Sequence, residues 1–124
     1  MTDVSGGQLQ ISMRPTVGVD RWRIAVAGEL DVDTSPQLVD AVGSALSLPG
    51  CRDVIVDLGQ VTFADASAVN ALVRARLACR HVGGRLTVFG ARGVVAEILY
   101  LTGVAESFGL PARRARMLGI ASDR

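Results

Sequence analysis

Along most of this chain the apolar residues keep changing period, and that pattern admits few folds. In WRIAVAG, Trp22, Ile24 and Val26 alternate at period two, the mark of a strand with one buried face. In DTSPQLVDAVGSALSLPG the spacing becomes helical, with Leu38, Val42, Ala45 and Leu46 on one stripe. Thr34 or Ser35 can cap that helix, and Pro36 suits its first turn because the missing N–H has no partner there. Pro49-Gly50 closes it. DVIVDL is a continuous apolar run, the pattern of a strand covered on both faces. A second helix is expected from about Ala66 to His81, burying Val69, Leu72, Val73 and Leu77 and ending at Gly83-Gly84. RLTVFG reads as another interior strand. VVAEILYLTG reads as a third helix resting on Val94, Val95, Ile98 and Leu99, with Gly103 as a left-handed C-cap.

At the start, LQISMRP supplies a strand joined to WRIAVAG by the polar turn TVGVDR, a hairpin. Near the end, VAESFGL reads as a short edge strand. The tail PARRARMLGIASDR is expected to add a helical turn or to fray, with its arginines at a solvated surface. Strands alternating with helices imply right-handed crossovers and a mostly parallel sheet. The fold class is therefore α/β: one domain over residues 1–124, with a mixed, mostly parallel sheet of four to five strands and three to four helices.

Composition removes several functions. Apolar residues are 49% and charged ones 20%, so the 124 residues can bury a core. A net charge of +1, with acids and bases interspersed, gives no reason to expect a nucleic-acid partner. No apolar run approaches the roughly 20 residues of a membrane span, and MTDVSGGQLQ does not read as a secretory signal. No phosphate-cradling glycine motif follows a strand, lysine is absent, and His81 is the one histidine. A histidine-based metal site, Schiff-base chemistry and a cofactor are not expected. His81 suits the negative end of a helix dipole. Cys51 and Cys79 lack metal-ligand spacing and read as reduced, mostly buried thiols of a cytoplasmic protein; the alternative, a redox disulfide, requires their Cα atoms within about 7 Å.

The stretch TFADASAVN, residues 62–70, comes after the run VIVDLGQV and carries the remaining chemistry. Asp65 stands at a strand-to-helix junction with Ser67 two residues on. Three readings compete: a helix cap, a nucleophile, or a switch. The nucleophile reading lacks a base, since His81 would lie roughly 20 Å along the helix. A cap by Asp65 is expected, and Ser67 in the first turn would set an added phosphate against the positive end of the helix. Glu29, Asp31 and Asp33 of GELDVD lie at the carboxyl edge of the sheet, where open α/β sheets bind partners. A phosphoserine carrying about −1.5 to −2 charges there would crowd like charges on one patch.

These stretches resemble the STAS domains of anti-sigma-factor antagonists. AVAGELDVDTSPQL is similar to the family's strand, G-E-L-D and capped helix. VIVDLGQVTFADASAVNALV is similar to its strand and D-S-S-G-L block, and GGRLTVFGARGVVAEILYLTGVAESF to its closing elements. The resemblance is clearest over residues 22–110, with 111–124 a short tail. It implies a cytoplasmic regulator, a monomer or weak dimer and not an enzyme, that binds an anti-sigma factor with serine kinase activity and so frees a sigma factor. It implies that Ser67 is phosphorylated, which breaks binding, and that a PP2C-type phosphatase restores it. Asp65 and Ser67 match the block's aspartate and second serine, and Asp31 matches the acid of G-E-L-D. Glu29, Asp31, Asp65, Ser67 and Asn70 are the expected partner-binding residues. Ala66 stands where the family has the first serine, and Ala68-Val69-Asn70 where the family has Gly-Leu-Gly, adding side chains on the expected approach side. The alternative is a constitutive STAS interaction or sensor module with no phosphorylation cycle.

Overall fold

The computed structural model describes residues 9–16 and 21–111, so most of the turn TVGVDR and all of the tail beyond Pro111 lie outside the described residues. Strands β1 (Leu9–Pro15) and β2 (Arg21–Leu30) pair antiparallel, from Leu9 opposite Gly28 to Pro15 opposite Trp22. They are the expected hairpin. Strands β3 (Asp53–Ala64) and β4 (Leu86–Phe89) add in parallel, giving the order β1-β2-β3-β4. The crossovers are helices α1 (Ser35–Leu46) and α2 (Ala66–His81); α3 (Gly93–Leu101) and a 3₁₀ turn, Glu106–Phe108, come after β4. The α/β class and the mostly parallel four-stranded sheet are as expected.

Two right-handed crossovers that step in one direction across a sheet put their helices on the same side. Ile24, Val26, Val54, Val56, Leu58, Leu86 and Val88 accordingly share one core cluster with Leu38 and Val42 of α1, Leu72 and Ala75 of α2, and Val95 and Leu99 of α3. The other face is different. Ala25, Ala27, Ile55 and Asp57 are only half-buried there, Arg23 forms an ion pair with Asp57, and the Arg23 guanidinium lies 5.1 Å from the Phe89 ring centroid. The run DVIVDL is thus not enclosed on both sides. Its burial alternates, and Ile55 is the apolar residue that hid the alternation.

Register with β2 slips twice. Ala25 and Ala27 face Asp57 and Gln60, and Gly28 and Glu29 face Val61 and Phe63, so each slip gives β3 one extra residue. Such bulges switch the facing of the residues beyond them, which is why Leu58 and Val61, three apart, are both buried.

Four further expectations are corrected. β4 is an edge strand among the described residues rather than an interior one. VAESFGL forms the 3₁₀ turn, buries Phe108 and closes on Gly109 at φ 91° and ψ 9°, left-handed rather than extended backbone. The buried stripe of α2 is Ala68, Ala71, Leu72, Ala75 and Cys79, while Leu77 is 55% exposed; small side chains let the helix lie close to its neighbours. In α3 the stripe is turned by about one residue, burying Val95, Ala96, Leu99 and Tyr100 and leaving Val94 exposed.

Gly103, at φ 79°, ends α3 as expected, its N–H donating to the Tyr100 carbonyl. At the end of α2 the Gly83 and Gly84 N–H groups donate to the carbonyls of Arg80 and Cys79, both at 2.9 Å. A Cβ on Gly84 would sit 1.9 Å from the Arg52 carbonyl oxygen, so the close approach requires glycine. Gly43 is the opposite case: mid-helix, exposed, and with nothing within 4 Å of an added Cβ. In urea unfolding, Gly84→Ala is expected to lose about 2–3 kcal/mol through overpacking. Gly43→Ala is expected to gain up to about 1 kcal/mol from helix propensity.

Candidate functional site

The site is assembled by the β2–β3 pairing. Leu30 pairs with Ala64 in parallel register, so the next residues, Asp31 and Asp65, leave the sheet side by side at its carboxyl edge. Neighbouring strands are about 4.8 Å apart, which brings two loops into one surface.

Each loop is built around a carboxylate. The Asp31 Oδ1 accepts from the backbone N–H groups of Asp33 and Thr34, both at 3.0 Å. The Asp31 N–H donates to Thr34 Oγ1 at 2.9 Å, and the Thr34 hydroxyl donates to the Glu29 carbonyl at 2.6 Å. Thr34 occupies the N-cap position of α1, yet its side chain makes no capping bond, nor does that of Ser35. Thr34 instead ties the turn back to β2. The hydrogen bond from the Thr34 N–H, set against slight desolvation and aided by further turn hydrogen bonds, holds the Asp31 carboxyl below its usual 3.8.

Asp65 caps α2 as expected. Its Oδ1 accepts from the Ser67 N–H at 2.9 Å and also from the Ser67 hydroxyl. The backbone of Asp65 is extended, and Ala66 opens the helix. One carboxylate oxygen therefore fixes both the first turn and the direction of the Ser67 hydroxyl.

Of the expected site residues, Asp31, Asp65 and Ser67 are half-buried, and Glu29 and Asn70 exposed. Asn70 lies three residues after Ser67, on the same helix face. Ala68, expected on the approach side, is 2% exposed and faces the core, so that departure from the family pattern leaves the outer surface untouched. Val69 is half-buried; Ala66 and Asn70 are the outward changes. Two residues escaped the sequence reading: Val32, 71% exposed, and Phe63, 44% exposed and paired with Glu29. They set apolar surface among the acids. A hydrophobic residue between two aspartates was the available signal for Val32; for Phe63 there was none, because its exposure results from the bulges.

His81 is the last residue of α2, roughly 21 Å from Ser67 along the axis, and cannot serve it as a base. Among the described residues no group of three or more His, Cys, Asp or Glu is placed to hold a metal ion. Cys51 and Cys79 are both buried, and they are thiols rather than a disulfide. Burial, with Cys51 and Asp53 nearby, pushes the Cys79 thiol up to about 11, which keeps it protonated and poorly nucleophilic at neutral pH. No described helix is long and apolar enough to cross a membrane.

A family model described as "Mlab, STAS domain" matches residues 17–116. The anti-sigma-B factor antagonist of Staphylococcus aureus is 24% identical over 98 residues, spanning 79% of this chain and 90% of that protein. The anti-sigma factor antagonist SpoIIAA in its unphosphorylated form superimposes with a TM-score of 0.66 at 19% identity, over 91% of this chain and 98% of the other. The Bacillus cell fate determinant SpoIIAA in its phosphorylated form gives 0.61 at 15% identity, over 90% and 99%.

The two carboxylates can be tested separately. Asp65→Ala is expected to cost about 1 kcal/mol in urea unfolding, and Asp65→Asn much less, since asparagine also caps. For Asp31 the folded pKa is depressed, so its stabilising contribution is complete above the unfolded value and is lost as pH falls through the folded one. Carboxyl carbon NMR is expected to give Asp31 a midpoint below 3.8; a midpoint at or above 3.8 would mean the turn is not formed in solution.

Proposed function

We propose that this chain, which belongs to the STAS-domain family, is a cytoplasmic anti-sigma-factor antagonist switched by phosphorylation of Ser67. The observation that carries this reading is the double use of Asp65 Oδ1, which accepts from both the Ser67 N–H and the Ser67 hydroxyl beside the Asp31 loop.

In the unmodified state Glu29, Asp31, Asp65, Ser67 and Asn70, with Val32 and Phe63 among them, form the surface offered to the anti-sigma factor. Apolar residues within a charged rim are the composition of a protein contact. The hydroxyl is held by a carboxylate at a helix start, accessible enough for a kinase. Transfer of a phosphoryl group to Ser67 Oγ removes the O–H that Asp65 accepts and sets about −1.5 to −2 charges against that carboxylate. The phosphate oxygens then compete with Asp65 for the first-turn N–H groups, which favour a dianion. The cap changes hands, the acidic density of the patch rises, and a partner fitted to the hydroxyl form is repelled. A PP2C-type phosphatase reverses the change by hydrolysis. Nothing in this scheme asks the chain to catalyse; the serine kinase activity is the anti-sigma factor's.

The second reading, a constitutive STAS interaction or sensor module, draws on Ala66 and Asn70, the outward departures from the antagonist block, and on a matching family model that is not described as an antagonist. One pair of variants separates the two. Ser67→Glu is expected to weaken binding to the cognate anti-sigma factor at least ten-fold, about 1.4 kcal/mol, and Ser67→Ala to stay within a few-fold of wild type. Titration calorimetry reads both. Incubation with that kinase and ATP is expected to add one phosphate, mapped to Ser67 by mass spectrometry. Unchanged affinity in Ser67→Glu, with no phosphate added, would establish the constitutive module instead.

A further inference from the structure

Away from the carboxyl edge, where the end of α2 meets β4 and the 3₁₀ turn, lies a cleft of about 450 Å³. Arg76, Arg80, Arg85, Glu106 and Ser107 line it. Three guanidinium groups on one cleft would ordinarily be matched by acids. Here the ion pair found among the described residues is Arg23–Asp57, on the open face of the sheet, and none of the three arginines has a carboxylate within ion-pair distance there.

Arg76 is the built part of the cleft. Its guanidinium lies 4.8 Å from the Phe108 ring centroid, and its Nη1 donates to the Ser107 hydroxyl. Its Nε is buried and has no hydrogen-bond partner among the described residues. A buried guanidinium N–H without an acceptor is costly, so a small rotation of Arg76 that turns it toward an anion in the cleft is favoured. Arg80 and Arg85 are exposed, and the Arg85 backbone is fixed at the cleft by its N–H donating to Asp53 Oδ1 at 3.0 Å.

We propose that this cleft binds a phosphate-type oxyanion, free or as a monoester, held by Arg76, Arg80 and Arg85. Planar guanidinium forks pair two oxygens at a time, and converging forks suit a tetrahedral dianion better than a lone carboxylate. The volume exceeds what inorganic phosphate fills and lies in the range of small-molecule sites, leaving room for the organic part of an ester. Glu106, exposed on the rim, opposes an anion and sets the affinity below what three arginines alone would give.

The test uses the full chain, labelled with ¹⁵N, titrated with inorganic phosphate and with methyl phosphate, against sodium chloride at matched ionic strength. Arginine Nε–Hε peaks and the Ser107 amide are the readouts. Saturable shifts at Arg76 and Ser107 are expected with both phosphates and not with chloride. Tighter binding of methyl phosphate would identify the ester as the preferred form, and equal binding the free anion. The paired surface change Arg80→Gln/Arg85→Gln, which leaves the Phe108 contact in place, is expected to weaken binding about ten-fold or more, and Glu106→Gln to tighten it several-fold. Shifts that never saturate, that chloride reproduces, or that survive unchanged in the double variant would overturn the proposal.

Discussion

The parallel pairing of β2 with β3 is the constraint on which the rest of the molecule depends. It joins the antiparallel hairpin to the parallel half of the sheet, and the crossover it requires is α1, which packs against α2 over the core. Its register is strongly fixed, because a slip of one residue would turn Val54 and Val56 away from the helices and bring Ile55 and Asp57 under them. The site inherits that precision. Asp31 and Asp65 belong to different loops, yet Leu30 opposite Ala64 leaves them little freedom to separate. The two extra residues in β3 belong to the same constraint. The bulges absorb them, so that the twelve residues of β3 end flush with the ten of β2 and the Asp65 junction meets the Asp31 turn.

The alternation of periods was enough to find the elements, and α2 begins and ends where the sequence places it. The failures have a common cause: a sequence reports how apolar a position is, not which neighbour covers it. Ile55 sits half-buried on the open face and made DVIVDL look enclosed. Leu77 and Val94 looked like core and are exposed, because Ala71, Ala75 and Ala96, too small to attract notice, make the close contacts. Thr34 had the right identity and position for a cap but bonds the Glu29 carbonyl, a partner known only once the turn is built. The bulges left two traces in the sequence, Gly59 inside β3 and Gly28 inside β2, the latter at φ 115° beside the second slip. The site residues were easier to find than their surroundings, since an aspartate and a serine at the end of an apolar run are visible locally, whereas the exposure of Phe63 is not.

A cap and a switch first look like rival explanations of Asp65 and Ser67. Under the proposed function, the hydrogen bonding would make them one device. The N–H group that Asp65 satisfies is among those a phosphate on Ser67 would seek, and the hydroxyl Asp65 accepts from is the atom a kinase would modify. The scales of the two effects then decide where a switch has its consequences. Losing a cap costs about 1 kcal/mol, and a phosphate at a helix N-terminus returns a comparable amount, so α2 survives the exchange. The interface is not compensated in this way. A partner brought against Glu29, Asp31 and Asp33 must already tolerate acids, and a phosphate on Ser67 would add up to two more charges to the same edge of the sheet. Truncating or opposing a buried charged contact costs about 2–5 kcal/mol, several times the change within the fold. On that proposal the discrimination belongs to the partner's surface, and the domain itself need change little more than which oxygen caps one helix.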